Sequence, residues 1–338
     1  MERRQQRTLW PTHGWKEATP KEHGMNSDML SRLHAFIQEQ ELPVYAVLIV
    51  RDGSLVFEHY YHGSTLQNTY QIASCTKSIL SALVGIALDK GLIHSLDQTL
   101  PDFIADEHLF SLDEQKRKIT LRHLLTMTSG LDNIASGRYH LEEHKSILQT
   151  IFEASLFSPP GSTFRYSDPG VDLLGRILAR VLQTDLLTFA TEHLFHPLGI
   201  ETNTQSGFSW ETVLDGFYRG ATGLHITPQD MARFGYLYLN GGNWEGQQLV
   251  PEAYVQASIH AQNAGGPPEQ SAYGLLWWVT TLEGHAAFFA AGIGGQYIYV
   301  IPDIDLLVVI SSEYERRSGA PQKELLSRFI LPAIIDQR

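Results

Sequence analysis

With 338 residues, 43% of them hydrophobic and 18% charged, the chain has the composition of an ordinary globular protein with a sizeable core. A formal net charge of −12 argues against nucleic acid or an anionic membrane surface as a partner. The single cysteine, Cys75, excludes an intramolecular disulfide, and no apolar run reaches the ~18 residues that a spanning helix needs.

The first ten residues are charged and polar with no apolar run behind them, unlike a secretory signal, so a cytoplasmic protein is expected. Residues 1–24, rich in Pro, His, Gly and charge, read as an extended arm. From Asn26 to Glu39 the residues Met29, Leu30, Leu33, Phe36 and Ile37 recur at helical spacing, with Asn26-Ser27 available as a cap. Tyr45–Arg51 reads as a buried strand, Asp52-Gly53 as a two-residue hairpin turn and Leu55–Tyr61 as the returning strand. A long apolar helix follows Lys77 and stops near Asp89-Lys90-Gly91, a cation and then a glycine.

Beyond it, helices are expected over Ile119–Met127, His144–Ala154, Gly170–Leu182 and Leu186–Leu194, with Asp168 as the cap and Pro169 at the first position of the third. Thr227-Pro228 opens a helix that closes at Asn240-Gly241-Gly242, and Pro251–Ser258 is a shorter one. Tyr273–Thr280, Ala286–Ala291, Gln296–Ile301 and Leu306–Ser311 are β-rich runs at hairpin-like spacing, before a last helix over Gln322–Gln337. Strands at both ends with helices between predict an α+β fold: one mainly antiparallel sheet assembled from both termini, flanked by helices. The expected organisation is an α/β lobe from residues 25–91 and 226–338, with residues 92–225 as an inserted helical lobe and the site between the two.

The chemistry centres on Gln71-Ile-Ala-Ser-Cys-Thr-Lys77. Residues three apart on a helix share a face, so Ser74 Oγ and the Lys77 amine can meet. A serine hydroxyl is a weak nucleophile until a base takes its proton, and a buried lysine can be that base. The segment Ser78–Leu88 has no charged residue and supplies the burial. Of the eight lysines, only Lys77 has a serine three residues before it. An acyl-enzyme also needs a group to protonate the leaving atom and activate water; Tyr166, just outside a helix N-terminus, is the candidate. The oxyanion hole needs rigid backbone N–H donors: Ser74 supplies one, and the glycine-rich Ala290-Ala291-Gly292-Ile293-Gly294-Gly295 is a sensible source of the other.

These residues resemble the serine β-lactamase and penicillin-recognising superfamily, on the side of class C β-lactamases, serine esterases and 6-aminohexanoate-dimer hydrolases. The resemblance runs from about Trp10 to Ile330. It rests on Ser74-Cys-Thr-Lys77, His123-Leu-Leu-Thr-Met-Thr-Ser-Gly-Leu131, Tyr166-Ser-Asp168, Gly223-Leu-His-Ile-Thr-Pro-Gln-Asp-Met-Ala232, Leu237-Tyr-Leu-Asn-Gly-Gly242 and Gly292-Ile-Gly-Gly-Gln296, in the family's order. It implies a β-lactamase/transpeptidase-like fold with Ser74 as nucleophile, Lys77 as base and Tyr166 as shared proton carrier. The Ile293 and Ser74 N–H groups would form the oxyanion hole, and Asp168, Ala291 and Gly292 would contact substrate. No cofactor or metal is implied, and the partner is a small ester or amide. The oligomeric state is not legible.

Two departures redirect the chemistry. The family's second motif usually ends in asparagine, and Asp168 cannot donate to a substrate carbonyl as an amide does. The third motif, Ala290-Ala291-Gly292, lacks the cation expected to bind a β-lactam carboxylate. Both move the expectation from β-lactamase towards esterase or amidase; the Gly-Ile-x-Gly-Gln run is most similar to the 6-aminohexanoate-dimer hydrolases. The alternatives are a non-catalytic penicillin-binding-like module, a weak β-lactamase or a D-amino-acid peptidase.

Plainer readings stand beside each residue. Ser74 and Lys77 as a helix cap and a surface lysine, Tyr166 as a packing aromatic, and Asp168 as an N-cap are the structural alternatives. Tyr238-Leu239-Asn240 mimics the second motif but reads as a helix end before two glycines. Cys75 reads either as a reactive thiol at a helix start or as a small buried neighbour. His140-Leu-Glu-Glu-His144 is not the His-Glu-x-x-His zinc pattern and reads as a solvated helix start. In a strand, Trp277 and Trp278 face opposite ways, so one can line a pocket while the other packs in the core; the plainer reading packs both in the core.

Overall fold

The computed structural model describes residues 7–104, 112–132, 153–213, 216–314 and 321–335. Asn26 caps the first helix, Ser27–Glu39, its Oδ1 accepting from the N–H groups of Asp28 and Met29, and the helix buries Leu30, Leu33 and Ile37. Strands β1 (Val44–Arg51) and β2 (Ser54–Tyr60) form a hairpin whose two turn residues, Asp52 and Gly53, have φ of 49° and 81°. That positive pair matches the twist of the flanking strands and is why Asp-Gly signals a hairpin.

The chain then passes β3 (Tyr70–Gln71) into the central helix Thr76–Asp89, buried continuously from Thr76 to Ala87. Gly85 on this helix faces the Tyr254 ring so closely that a Cβ there would lie 2.6 Å from Cδ1. Gly85→Ala is therefore expected to destabilise the protein by roughly 1–3 kcal/mol through overpacking, read as a lower urea midpoint. An unchanged midpoint would show that the ring yields freely.

After the central helix the described chain is mostly helical, with helices Leu121–Leu125, Asp168–Leu182 and Leu186–Ala190. Short strands β4 (Ser209–Trp210) and β5 (Leu224–Ile226) join β3 in the order β3-β5-β4. Helix Pro228–Leu239, capped by Thr227, packs on β1 and on the strands Gln296–Ile301 and Leu306–Ser312 of the large sheet. A small ladder, β6 (Asn243–Trp244) with β7 (Gln247–Gln248), and helix Glu252–Ser258 lead to the C-terminal strands. These are β8 (Asn263–Gly266), β9 (Ser271–Tyr273), β10 (Trp278–Leu282), β11 (His285–Gly292), β12 (Gln296–Ile301) and β13 (Leu306–Ser312).

Together with the N-terminal hairpin they make one antiparallel eight-stranded sheet, β2-β1-β13-β12-β11-β10-β9-β8. The two ends of the chain meet where β1 pairs with β13, Ile49 opposite Val308. The expected α+β fold, with one antiparallel sheet built from both termini, is the fold observed. Residues 7–24 lie along the body, Trp10 and Trp15 packing on Tyr236 and Arg7 pairing with Asp305.

Several expectations change in detail. Tyr273–Thr280 is not one strand: the chain breaks between β9 and β10, where Leu276 takes a φ of 58° and the Gly274 N–H bonds the Trp277 carbonyl. Helix Leu186–Leu194 keeps α geometry only to Ala190 and continues as a wider turn over Thr191–Phe195. The last helix is Pro321–Leu325, followed by wide and tight turns to Ala333. Asn240 is the C-cap of its helix, as its position before two glycines implied. The expected helix His144–Ala154 lies almost entirely outside the described residues, as does the pair His140 and His144. Among the described residues, no helix is long and apolar enough to cross a membrane.

Candidate active site

The site begins with a strained turn. Ile72 is tied to β5 by its N–H to the Leu224 carbonyl at 2.9 Å, and Ala73 then adopts a φ of 49°, in the left-handed region that a β-carbon disfavours. Strain of this kind persists only where the surroundings enforce it, and it concentrates at functional sites. Here it delivers Ser74 to a tight turn, Ala73–Cys75, that runs straight into the central helix. The turn is held by Thr76 Oγ1 donating to the Ala73 carbonyl at 2.7 Å.

Lys77, only 1% exposed, stands one turn further on. Its Nζ lies 2.7 Å from Ser74 Oγ, 2.8 Å from the Ala221 carbonyl and 2.7 Å from Asp168 Oδ1. A helix cap and a surface lysine do not describe this pair.

Tyr166 lies beside it. Lys77 Nζ is 4.9 Å from the centre of its ring, and the ring stacks on Trp278 with centroids 5.8 Å apart and planes 8° from parallel. The chain on either side is clamped: the Arg165 N–H bonds the Met127 carbonyl at 2.7 Å, and the Ser167 N–H points at Met127 Sδ. Burial pushes the Tyr166 hydroxyl well above its usual 10.0, the Asp168 charge adds to that, and a hydrogen bond with the Ser74 side chain opposes it. The phenol is therefore neutral at neutral pH.

Asp168 is a correction. The cap of helix Asp168–Leu182 is Ser167, whose Oγ accepts from the Gly170 N–H at 3.2 Å. Asp168 is the first helical residue, and its carboxylate, 36% exposed, faces Lys77. The sequence could not separate these readings, because Ser167 and Asp168 are both good caps and one residue decides which takes the role.

The third motif reaches the same turn. A Cβ on Gly292 would lie 2.5 Å from the Ile72 carbonyl, so only glycine lets the end of β11 run this close to the residues before Ser74. Ala291 is buried beside it and Ile293 follows, 46% exposed. The β11–β12 turn is braced by Gln296, whose buried Oε1 accepts from Ser311 Oγ at 3.0 Å and from the Ser312 N–H at 3.2 Å. Position 290 is alanine, so the strand brings no cation to the Ser74 turn.

Cys75 is the buried neighbour: its Sγ is 3.5 Å from the Gln296 carbonyl, and burial pushes the thiol far up, away from a reactive thiolate. Both tryptophans are buried, and strand alternation does not apply to the pair, because Trp277 precedes β10 and only Trp278 belongs to it. Trp277 packs on Phe234, Tyr238 and Phe288, while Trp278 packs on Tyr166, Tyr273 and Phe289. Among the described residues, no group of three or more His, Cys, Asp or Glu is placed to hold a metal ion.

Sequence reasoning missed two participants. The Ala221 carbonyl has no side-chain signature. Asp172 bonds the Ala221 N–H at 2.8 Å; its signal was a lone carboxylate one turn after Asp168, among the apolar residues Val171, Leu173 and Leu174.

Comparison with known proteins gives the family and the fold. Residues 30–326 match the family described as Beta-lactamase. The 6-aminohexanoate-dimer hydrolase of Paenarthrobacter ureafaciens is 24% identical over 328 residues, covering 88% of this chain and 80% of that protein. Beta-lactamase-like protein 2 of Dictyostelium discoideum is 29% identical over 164 residues, 46% of this chain but only 29% of that protein, so the match spans under a third of that relative's length. The octameric penicillin-binding protein homologue from Pyrococcus abyssi superposes with a TM-score of 0.72 at 18% identity, over 90% of this chain and 77% of the other, which shows a shared fold.

Proposed function

The chain belongs to the Beta-lactamase family, and from that footing we propose that it is a serine hydrolase that cleaves small esters or amides through an acyl-enzyme on Ser74. The observation that carries the proposal is the fully buried Lys77 amine 2.7 Å from Ser74 Oγ, on a helix start that Ala73 is strained to provide.

In the acylation step the deprotonated Lys77 amine takes the Ser74 proton as Oγ attacks the substrate carbonyl carbon. The ammonium that results is met by the Asp168 carboxylate and the Ala221 carbonyl, both within 2.8 Å of Nζ. The backbone N–H groups of Ser74 and Ile293 receive the developing oxyanion. Tyr166, a neutral phenol at working pH, protonates the leaving oxygen or nitrogen and is reprotonated from Lys77. Water then attacks the acyl carbonyl carbon as the same groups take its proton, that proton passes to Ser74 Oγ as the bond from Oγ to the acyl carbon breaks, and the acyl group departs as the acid.

The substrate is a small molecule without a carboxylate next to the scissile bond. Position 290 offers no cation for one, and Asp168 places a negative charge where an amide donor is usual. An uncompensated charge contact costs about 2–5 kcal/mol, enough to set preference. Wild type is therefore expected to be labelled at Ser74 by a fluorophosphonate. It should turn over a short-chain p-nitrophenyl ester with kcat/KM at least about 100-fold above that for a chromogenic cephalosporin, a difference of about 2.7 kcal/mol. No labelling, or labelling of Ser74→Ala as strong as wild type, would make the chain a non-catalytic module with this fold. Cephalosporin turnover above ester turnover would restore the β-lactamase reading.

A further inference from the structure

Asp172 has no evident reason to be charged. It is 4% exposed, in a helix turn whose adjacent residues Val171, Leu173 and Leu174 are buried and apolar. Taking a carboxylate out of water costs several kcal/mol unless its partners repay it. Its partners are the Ala221 N–H, on Oδ1 at 2.8 Å, and the Arg219 guanidinium, 3.5 Å from Oδ2. Burial pushes the carboxyl above the usual range, while Arg219 and the Ala221 N–H pull it back.

The short segment these groups hold is fixed from every side. Trp210 Nε1 donates to the Arg219 carbonyl at 2.8 Å, and the Arg219 N–H bonds the Glu211 carbonyl at 2.9 Å. Gly220 lies so close to both helices that a Cβ would meet the Val171 carbonyl at 2.5 Å and Leu80 Cδ2 at 2.8 Å. One residue later, the two polar groups of Ala221 point at two side chains of the site: its N–H at the Asp172 carboxylate and its carbonyl at Lys77 Nζ, 2.8 Å in each case.

We infer that Asp172 is a positioning residue for the reaction: by gripping the Ala221 N–H it aims the Ala221 carbonyl at the Lys77 amine, and so holds that amine on Ser74 Oγ. It touches neither substrate nor nucleophile. The inference rests on Ser74 and Lys77 being the catalytic pair. It also gives Asp172 an electrostatic part, since its charge joins those of Asp168 and Arg219 around the Lys77 amine, with Tyr166 on the near side and Glu211 4.0 Å beyond Arg219.

Two substitutions separate aiming from mere packing. Asp172→Leu keeps the heavy-atom count and branching of the side chain and removes the acceptor; kcat on the p-nitrophenyl ester should fall about 30-fold or more with KM within about 3-fold, because a misplaced catalytic group costs rate rather than binding. The rate of fluorophosphonate labelling should fall in parallel. Asp172→Asn keeps an oxygen for the Ala221 N–H and removes the charge. It should recover most of the lost kcat and move the acid limb of the kcat–pH profile to lower pH, since removing a nearby anion disfavours the protonated form of a catalytic amine.

A loss confined to KM, or an Asp172→Asn with wild-type pH limb and no recovery over Asp172→Leu, overturns the inference. Should Asp172→Leu show no cooperative melt, the Asp172→Asn limb decides alone: a shift supports the aiming role and an unmoved limb overturns it. Wild type left unlabelled at Ser74 overturns the serine-hydrolase reading itself; labelled wild type with unaffected variants overturns only the part given to Asp172.

Discussion

Lys77→Ala is expected to lower kcat on a p-nitrophenyl ester by about 1,000-fold or more, the range that general acid–base groups supply and a barrier rise of about 4 kcal/mol. The amine is the group 2.7 Å from Ser74 Oγ, and among the described residues no other side-chain nitrogen bonds that oxygen. Without it the Ser74 hydroxyl has only a neutral phenol beside it, and a phenol whose hydroxyl sits well above 10.0 gives its oxygen little basic character through ionisation. Ser74→Ala sets the floor against which the residual rate is read.

The variant should still fold. Truncation leaves a space beside the Ala221 carbonyl and removes one partner of Asp168, whose side chain is 36% exposed and so keeps part of its carboxylate in water. Lys77→Met, which refills the space, should melt closer to wild type while remaining as inactive. A folded Lys77→Met with turnover within about 10-fold of wild type would remove Lys77 from the mechanism, since a base supplies far more than that.

Tyr166→Phe tests a different step and should show it by leaving group. The substitution keeps the stack on Trp278 and the ring beside Lys77, so folding should be little affected and only the hydroxyl is lost. If that hydroxyl protonates the leaving atom, an anilide, which departs poorly without a proton, should lose about 1,000-fold in kcat. A p-nitrophenyl ester, whose phenolate leaves unaided, should lose only about 10-fold. Equal losses on both would place Tyr166 in activating Ser74 instead, and no loss on either would make it a packing aromatic. Because burial and Asp168 both raise the hydroxyl, its ionisation should contribute no alkaline limb to the profile at or below its ordinary 10.0.

Much of this arrangement was legible in local spacing. A serine and a lysine three apart at the head of an uncharged helix must share a face, and the structure puts their atoms in contact. The hairpin at Asp52-Gly53 and the cap at Asn26 were readable for the same reason: each depends on one residue's own backbone preference. Where the local signals were equal, they failed. Ser167 and Asp168 compete for one cap, and nothing nearby in the chain says that Lys77 will claim the second carboxylate. The apolar run around Trp277 and Trp278 looked continuous because periodicity does not register a single left-handed residue such as Leu276.

Residue order and spacing were enough for the pair Ser74 and Lys77, the sheet drawn from both ends of the chain and the absence of a cation at position 290. These follow from helix and strand periods, which act over a few residues. Only the tertiary structure decided that Asp168 pairs with Lys77, that Tyr166 is a neutral phenol beside Ser74, and that Asp172 reaches the Lys77 amine through the Ala221 peptide. Burial and opposite charges from distant segments set the state of an ionisable group, and a backbone carbonyl carries no letter of its own, so neither can be read before the chain has folded back on itself.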